Sequence, residues 1–249
     1  MMENPTYTRH ENHDSLPLSP FHPFEDKIIR TGFIRKVYTL LSIQLVFTFM
    51  SCLFVNLYEP AQNFMLSETG IALYGLSLAG IIILMIVLCC NPNYLKNYLQ
   101  NYIYLTLFTV FMTYLLAIST ARYNTKSLIL AIGITLAITI SLTIFACQSK
   151  YDFTGYGPYL LCFLWGLILI GIINCFLANS LLMTIQAGLG AIVFSFYIIY
   201  DTQLIVGGKH KQYEFSIDDY VLATLSLYLD IINLFLYILQ LLNECNNSQ

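Results

Sequence analysis

Charge is what this sequence has least of. Only 10% of its 249 residues are Asp, Glu, Lys or Arg, where a soluble domain carries about 25%. A chain so poor in charge cannot cover a globular surface with solvated side chains, which excludes an ordinary soluble enzyme and a disordered scaffold. Basic runs are missing too. The 11 basic and 14 acidic residues leave a net charge of −3, with nothing to track a phosphate backbone, so nucleic acid is not a partner. There is no Cys-x-x-Cys, and no histidine lies at ligand spacing from a cysteine, so no metal centre or resident cofactor is expected. The seven cysteines (52, 89, 90, 147, 162, 175 and 245) lie in or beside apolar stretches. They read as small buried hydrophobes, with Cys89 or Cys90 as candidates for acylation at a membrane face.

What is present is apolar: 57% of residues are hydrophobic and 15% aromatic. Spanning ~30 Å of hydrocarbon takes about 20 apolar residues. Seven segments qualify, at 38–58, 70–90, 101–119, 127–147, 158–177, 180–206 and 217–242. Pro60, Asn91-Pro92, Arg122 to Lys126, Lys150 to Gly157, Asn179 and Gly207-Gly208 break them. The expected fold is an all-α polytopic membrane protein, a bundle of seven transmembrane helices embedded in lipid, the seventh partly polar and central. Residues 1–37 hold four of the seven prolines and three of the four histidines. They read as a mobile tail whose amphipathic end, Glu25 to Lys36, abuts the membrane. The membrane domain is expected over 38–243, with a short tail at 244–249. Residues 1–37 contain no apolar h-region, so the first span itself must direct insertion. Lys27, Arg30, Arg35, Lys36, Lys96, Lys150, Lys209 and Lys211 fall on one side, and only Arg122 and Lys126 on the other. The positive-inside rule then puts the N-terminus in the cytosol. Seven spans place the C-terminus on the far side unless the last segment re-enters.

In so uncharged a chain, intramembrane carboxylates carry the information, because each costs roughly 2.5–3.5 kcal/mol to insert. Two lie well inside apolar segments: Asp201, after Tyr200, and Asp230, between Leu229 and Ile231. In segment seven, Asp219, Ser226, Asp230, Asn233, Tyr237 and Gln240 recur at helical spacing on one face, opposite Leu225, Leu229, Ile232 and Leu236. Such a stripe should face the bundle interior or a watery path. Ser216 with Asp219 fits a capping box opening that helix. Segment six carries a weaker stripe of Gln186, Gly190, Tyr197 and Asp201, with Gly188 and Gly190 allowing close helix approach. At ~1.5 Å per residue Asp201 lies about 9 Å from Gly207, and Asp230 about 21 Å from Ser216. The two meet only if segment six continues past Gly208 or the helices tilt. The candidate lining of Asp201, Asp219, Asp230, Ser226, Asn233, Tyr237 and Tyr197 is all oxygen donors without Lys or Arg. That chemistry suits a hard cation such as Ca²⁺, held weakly at Asp201 and Asp230.

Tyr200-Asp201-Thr202-Gln203, Phe215 to Ala223 and Leu227-Tyr228-Leu229-Asp230-Ile231-Ile232-Asn233-Leu234-Phe235 closely resemble the signature of the transmembrane Bax inhibitor motif family, in its Lifeguard and Golgi anti-apoptotic branch. Phe33 to Tyr38 resembles the opening of that family's first span, and Ala146 to Phe153 its fourth connection. The resemblance runs over residues 26–243. It implies a seven-helix bundle that leaks calcium from intracellular stores, in the endoplasmic reticulum or Golgi membrane, and restrains apoptosis. It also implies contacts with apoptosis-regulating membrane proteins and a pH-sensing role for Asp201 and Asp230. Bacterial relatives latch the helix-six aspartate with an arginine at the end of helix two. Here Val87 to Asn93 has no basic residue before Lys96.

Other classes fit less well. Intramembrane aspartyl proteases place Gly-x-Gly before their second aspartate, whereas Leu227-Tyr228-Leu229 stands here, so no catalysis is expected. A receptor reading would rest on Ala121-Arg122-Tyr123 after span three, but charge bias places that arginine outside. The remaining alternative is a non-conducting adaptor whose aspartates only hold the bundle together.

Overall fold

The computed structural model describes residues 23–90, 98–207 and 211–247. Among these the chain is helical: α1 (Pro23–Leu57), α2 (Glu59–Met65), α3 (Glu68–Cys90), α4 (Tyr98–Thr120), α5 (Thr125–Gln148), α6 (Gly157–Leu177), α7 (Ser180–Val206) and α8 (Tyr220–Asn247), with single 3₁₀ turns before α6 and α8. All but α2 are long and apolar enough to cross a bilayer. The protein is an all-α polytopic membrane protein.

The expected breakers act where chemistry demands. Asn124 and Asn179 cap α5 and α7, accepting from the Lys126 and Leu182 amides at 3.0 and 3.1 Å. Pro60 opens α2. That short helix in the first connection was not foreseen. The first boundary also differs: α1 begins at Pro23, well before the expected limit at 37, because the amphipathic run continues the helical stripe of the first span. Phe33, Val37, Leu41, Leu45, Phe49 and Cys52, spaced by three or four, are all buried. The sequence read as a tail therefore lies partly in a helix, and residues 1–22 fall outside the described residues. At the other end α8 runs to Asn247, through most of the stretch read as a C-terminal tail. It has no break at which to re-enter, and its 28 residues reach about 42 Å.

The seventh span is central, as expected. Within α8 67% of the most apolar window is buried, against 6% in α3 and 11% in α6, which are peripheral. Tyr228, Leu227, Ile231, Leu234 and Phe235 are fully enclosed. In lipid the apolar effect offers no drive between helices, so close packing and interhelical hydrogen bonds hold the bundle. Polar partners accordingly run through the core between α1, α4 and α8. Gln44 Nε2 donates to Thr109 Oγ1 at 2.6 Å. Thr48 Oγ1 meets Thr113 Oγ1 at 2.9 Å and Tyr228 Oη at 3.0 Å. Asn101 Nδ2 donates to Tyr220 Oη at 2.8 Å. Replacing Thr48 by Val should cost about 1–2 kcal/mol, since two buried hydroxyls lose a partner at once. Thermal unfolding in detergent reads this, and an unchanged midpoint refutes it.

The cysteines do not follow the expectation. Cys52 alone is buried; Cys89, Cys90, Cys147, Cys162, Cys175 and Cys245 are exposed. Their segments are apolar because they face lipid, which a buried reading does not distinguish.

Candidate functional site

Helices α7 and α8 run antiparallel in close contact. The Tyr237 ring packs on Gly190, where a Cβ would stand only 2.6 Å from it. The ring also stacks on Phe194 at 5.8 Å. One end is fixed by Gln240 Nε2, which donates to Met183 O at 3.3 Å. Toward the other end Asp201 and Asp230 come close enough for their carboxyls to interact. Both are buried, at 5% and 6% exposure, and Asp230 Oδ2 has no partner among the described residues.

Of the two ways in which the aspartates could meet, continuation of the helix does not apply, because α7 ends at Val206. Instead the antiparallel register, carried to that end, sets Val206 level with about Leu225, so the first turn of α8 projects beyond α7. Phe215 folds back to donate its amide to Leu204 O at 3.0 Å, and the connection is no guide to depth. Three other expectations also need correction. The Ser216 side chain makes no capping bond; the helix starts instead with the 3₁₀ turn Ile217–Asp219. Asp219 sits in that turn, away from the dyad cavity. Gly188 faces open space, so only Gly190 serves close approach.

The dyad lies in a cavity of about 550 Å³ between α6, α7 and α8. Of the residues proposed from sequence as a path lining, Tyr197, Ser226, Asn233 and Tyr237 line this cavity, joined by Gln186. Leu229, placed on the opposite face by spacing, lines it too, together with Leu164, Leu167, Ile168, Gly171 and Phe194. No basic side chain lines it among the described residues. The absent helix-two arginine has no substitute at the dyad there, and Asn91 to Lys96 fall outside the described residues.

The end of the bundle at the α7–α8 connection is tied shut by side chains that the sequence did not mark. Arg30, from the first turns of α1, donates Nη2 to Leu204 O at 2.7 Å, Nη1 to Phe215 O at 2.7 Å and Nε to Val206 O at 3.2 Å. Glu214 lies 3.8 Å from the same guanidinium. The one available signal was that α7 has no basic residue in its last turn, so its carbonyls must be capped from elsewhere. Gly207 is required here: its φ is +61°, and a side chain would collide with Arg30 and Glu214. Gln203 ties α7 to the α5–α6 connection, accepting from the Phe153 amide at 2.7 Å and donating to Tyr151 O at 3.0 Å.

Asp152 bridges the same two connections. It accepts from the Thr154 amide and hydroxyl at 2.9 and 2.7 Å and from the Gln212 amide at 2.8 Å. Its slight desolvation opposes ionisation. The bonds from Thr154 and Gln212 and the Lys211 charge outweigh that and hold the carboxyl below its ordinary value. A depressed value makes the staple fully present above the ordinary carboxylate range and lost only as pH falls through the lowered value. Asp152→Asn should therefore speed hydrogen exchange at the Gln212 amide at neutral pH, and equal rates in the two proteins would refute the staple.

The sequence pattern of the family described as "Inhibitor of apoptosis-promoting Bax1" matches residues 30–247. Protein lifeguard 3 of Homo sapiens is 34% identical over 228 residues, 90% of this chain and 72% of the human protein. The mouse (Mus musculus) protein of the same name is 32% identical over 227 residues, covering 89% of this chain and 72% of its own length. The Golgi anti-apoptotic protein of Vaccinia virus (strain Lister) is 34% identical over 220 residues, 88% of each chain. The residues that form the dyad, its helices and their seal all lie inside these matches, and the chain belongs to the Bax inhibitor family, the transmembrane Bax inhibitor motif proteins.

Proposed function

We propose that this protein is a calcium leak pathway of an internal membrane, gated by protons at Asp201 and Asp230, and that it restrains apoptosis by lowering the calcium store. The observation carrying this reading is the paired aspartates in a large cavity without a basic residue. Two carboxylates among hydroxyl and amide oxygens favour a cation over an anion. They are also fewer than the 6–8 oxygens of a tight calcium site, so passage is favoured over storage. Calcium is then cargo, and no resident cofactor takes part. The anti-apoptotic role is supported by the names of the relatives, which describe inhibitors of cell death rather than catalysts. The viral relative's name supports the Golgi as its membrane. Charge bias supports a cytosolic N-terminus, which puts the Arg30 seal on the cytosolic side.

The test is reconstitution of the purified protein in calcium-loaded liposomes. Calcium efflux above empty vesicles, exceeding chloride flux, is expected. No flux from well-folded protein would favour the adaptor reading, and larger chloride than calcium flux would overturn the cation path.

A further inference from the structure

The dyad cavity is the wrong size and shape for a bare metal ion alone. Its volume of about 550 Å³ falls in the ~300–1,000 Å³ range of sites for small organic molecules. Among the described residues no three His, Cys, Asp or Glu side chains gather to hold a metal. The lining is also divided. α7 and α8 supply the acids and most of the other polar groups, while α6 supplies Leu164, Leu167 and Ile168.

α6 packs on α7 and makes no extensive contact with α8, which leaves a seam between α6 and α8 along the cavity that all three helices line. Ile168 of α6 lines the cavity and is 42% exposed. Asp201 lies five residues before the end of α7, about 8 Å in at 1.5 Å per residue. An amphiphile keeps its charged head near the interface and its tail in hydrocarbon, and an acid near the end of a span is placed for such a head.

We propose that this cavity binds a cationic amphiphile, a single-chain organic ammonium that enters from the bilayer between α6 and α8 and seats its nitrogen at Asp201 and Asp230. The inference rests on the reading of the dyad as the cation site, though not on conduction. The two acids, with no basic side chain lining the cavity among the described residues, supply the negative charge that an ammonium matches. Asp230 Oδ2, buried and without a partner among the described residues, is the acceptor that the ammonium satisfies. Tyr197 and Tyr237 belong to the same lining, and aromatic rings near a cation attract it. The alkyl chain lies along Leu164, Leu167 and Ile168 and leaves through the seam. An amine so placed occupies the ion site and competes with calcium for it.

The experiment measures binding of radiolabelled dodecylammonium to the full-length protein in phosphatidylcholine nanodiscs, with empty nanodiscs as reference. Saturable binding above the empty discs is expected, with dodecanol failing to compete. The double variant Asp201→Asn/Asp230→Asn should bind at least about tenfold more weakly. Ile168→Trp, which fills the seam and leaves the acids intact, should also weaken binding and guards against misfolding of the double variant. Uptake no greater than that of empty discs overturns the proposal. So does undiminished binding by folded variants, or equal competition by dodecanol, which would mean an apolar pocket only. Because no ion gradient is used, the two readings fail separately. Amine binding without calcium flux sinks conduction alone, and calcium flux without amine binding sinks this inference alone.

Discussion

Asp230→Asn is expected to abolish most calcium flux and most of its pH dependence while leaving the bundle folded, and Asp201→Asn should do the same to the pH dependence. A lone aspartate titrates near ~3.9, too acidic to sense cellular pH. On the proposed function two neighbouring carboxyls take up and release protons as a unit instead. With one proton between them they bond and hold α7 to α8. With both ionised, repulsion at ~4 Å is about 4 kcal/mol at an effective dielectric of 20. Interhelical hydrogen bonds in membranes return only about 0.6–2 kcal/mol each, so ionisation must separate the helices or draw a cation between them. Asparagine keeps the shape and donates an amide to the remaining carboxylate, so the contact survives and the proton switch does not. Calcium efflux from liposomes across about pH 5–8 reads the outcome. If both variants fold and keep the wild-type pH profile, the dyad is only structural.

How far the sequence reaches depends on which physical signal each feature leaves. Helix length and apolarity are local, so the span at 180–206 was legible to the residue and the four before it to within three residues, while α1 starts 15 residues earlier than expected and α8 ends five later. Chemistry singled out Asp201 and Asp230, since an acid costs too much in hydrocarbon to stand there without purpose, whereas their pairing was only possible from the residues and was implied by the family resemblance. Their relative depth was not legible, because it depends on how far α8 projects past α7, and the loop between them records no register. The polar stripe of α8 was read correctly for Ser226, Asp230, Asn233 and Tyr237, which all line the cavity. It failed at Asp219, where a 3₁₀ turn replaces the helix and the 3.6-residue period no longer applies. The opposite face was wrong in kind. Leu225 and Ile232 are buried more completely than Ser226, Asn233 and Tyr237, whose side of α8 is only half-buried, and Leu229 lies on that side and lines the cavity itself. Arg30 was hidden because its partners are backbone carbonyls more than 170 positions away, and carbonyls have no sequence.

Arg30→Ala should therefore be the most disruptive single change outside the dyad. One guanidinium, its side chain 17% exposed, closes three carbonyls at the end of α7 and in the connection to α8. A charge-assisted bond is worth about 1.5–3 kcal/mol. Partial solvent access and the Phe215 amide, which still serves Leu204 O, reduce the total, so a loss of about 2–4 kcal/mol is expected for the variant. Arg30→Lys keeps the charge but not the planar fork that reaches three acceptors, and should recover only part of the loss. Glu214→Gln should change stability little, because its carboxylate is 3.8 Å away and 53% exposed. Thermal unfolding in detergent ranks the three variants, and hydrogen exchange at the Phe215 amide locates the effect. Loosening that connection also loosens the ends of α7 and α8 next to the dyad, so on the proposed function the alanine variant should leak calcium with a weaker pH response than the wild type. An alanine variant that melts, exchanges and conducts like the wild type would show that the seal at this end does not depend on Arg30.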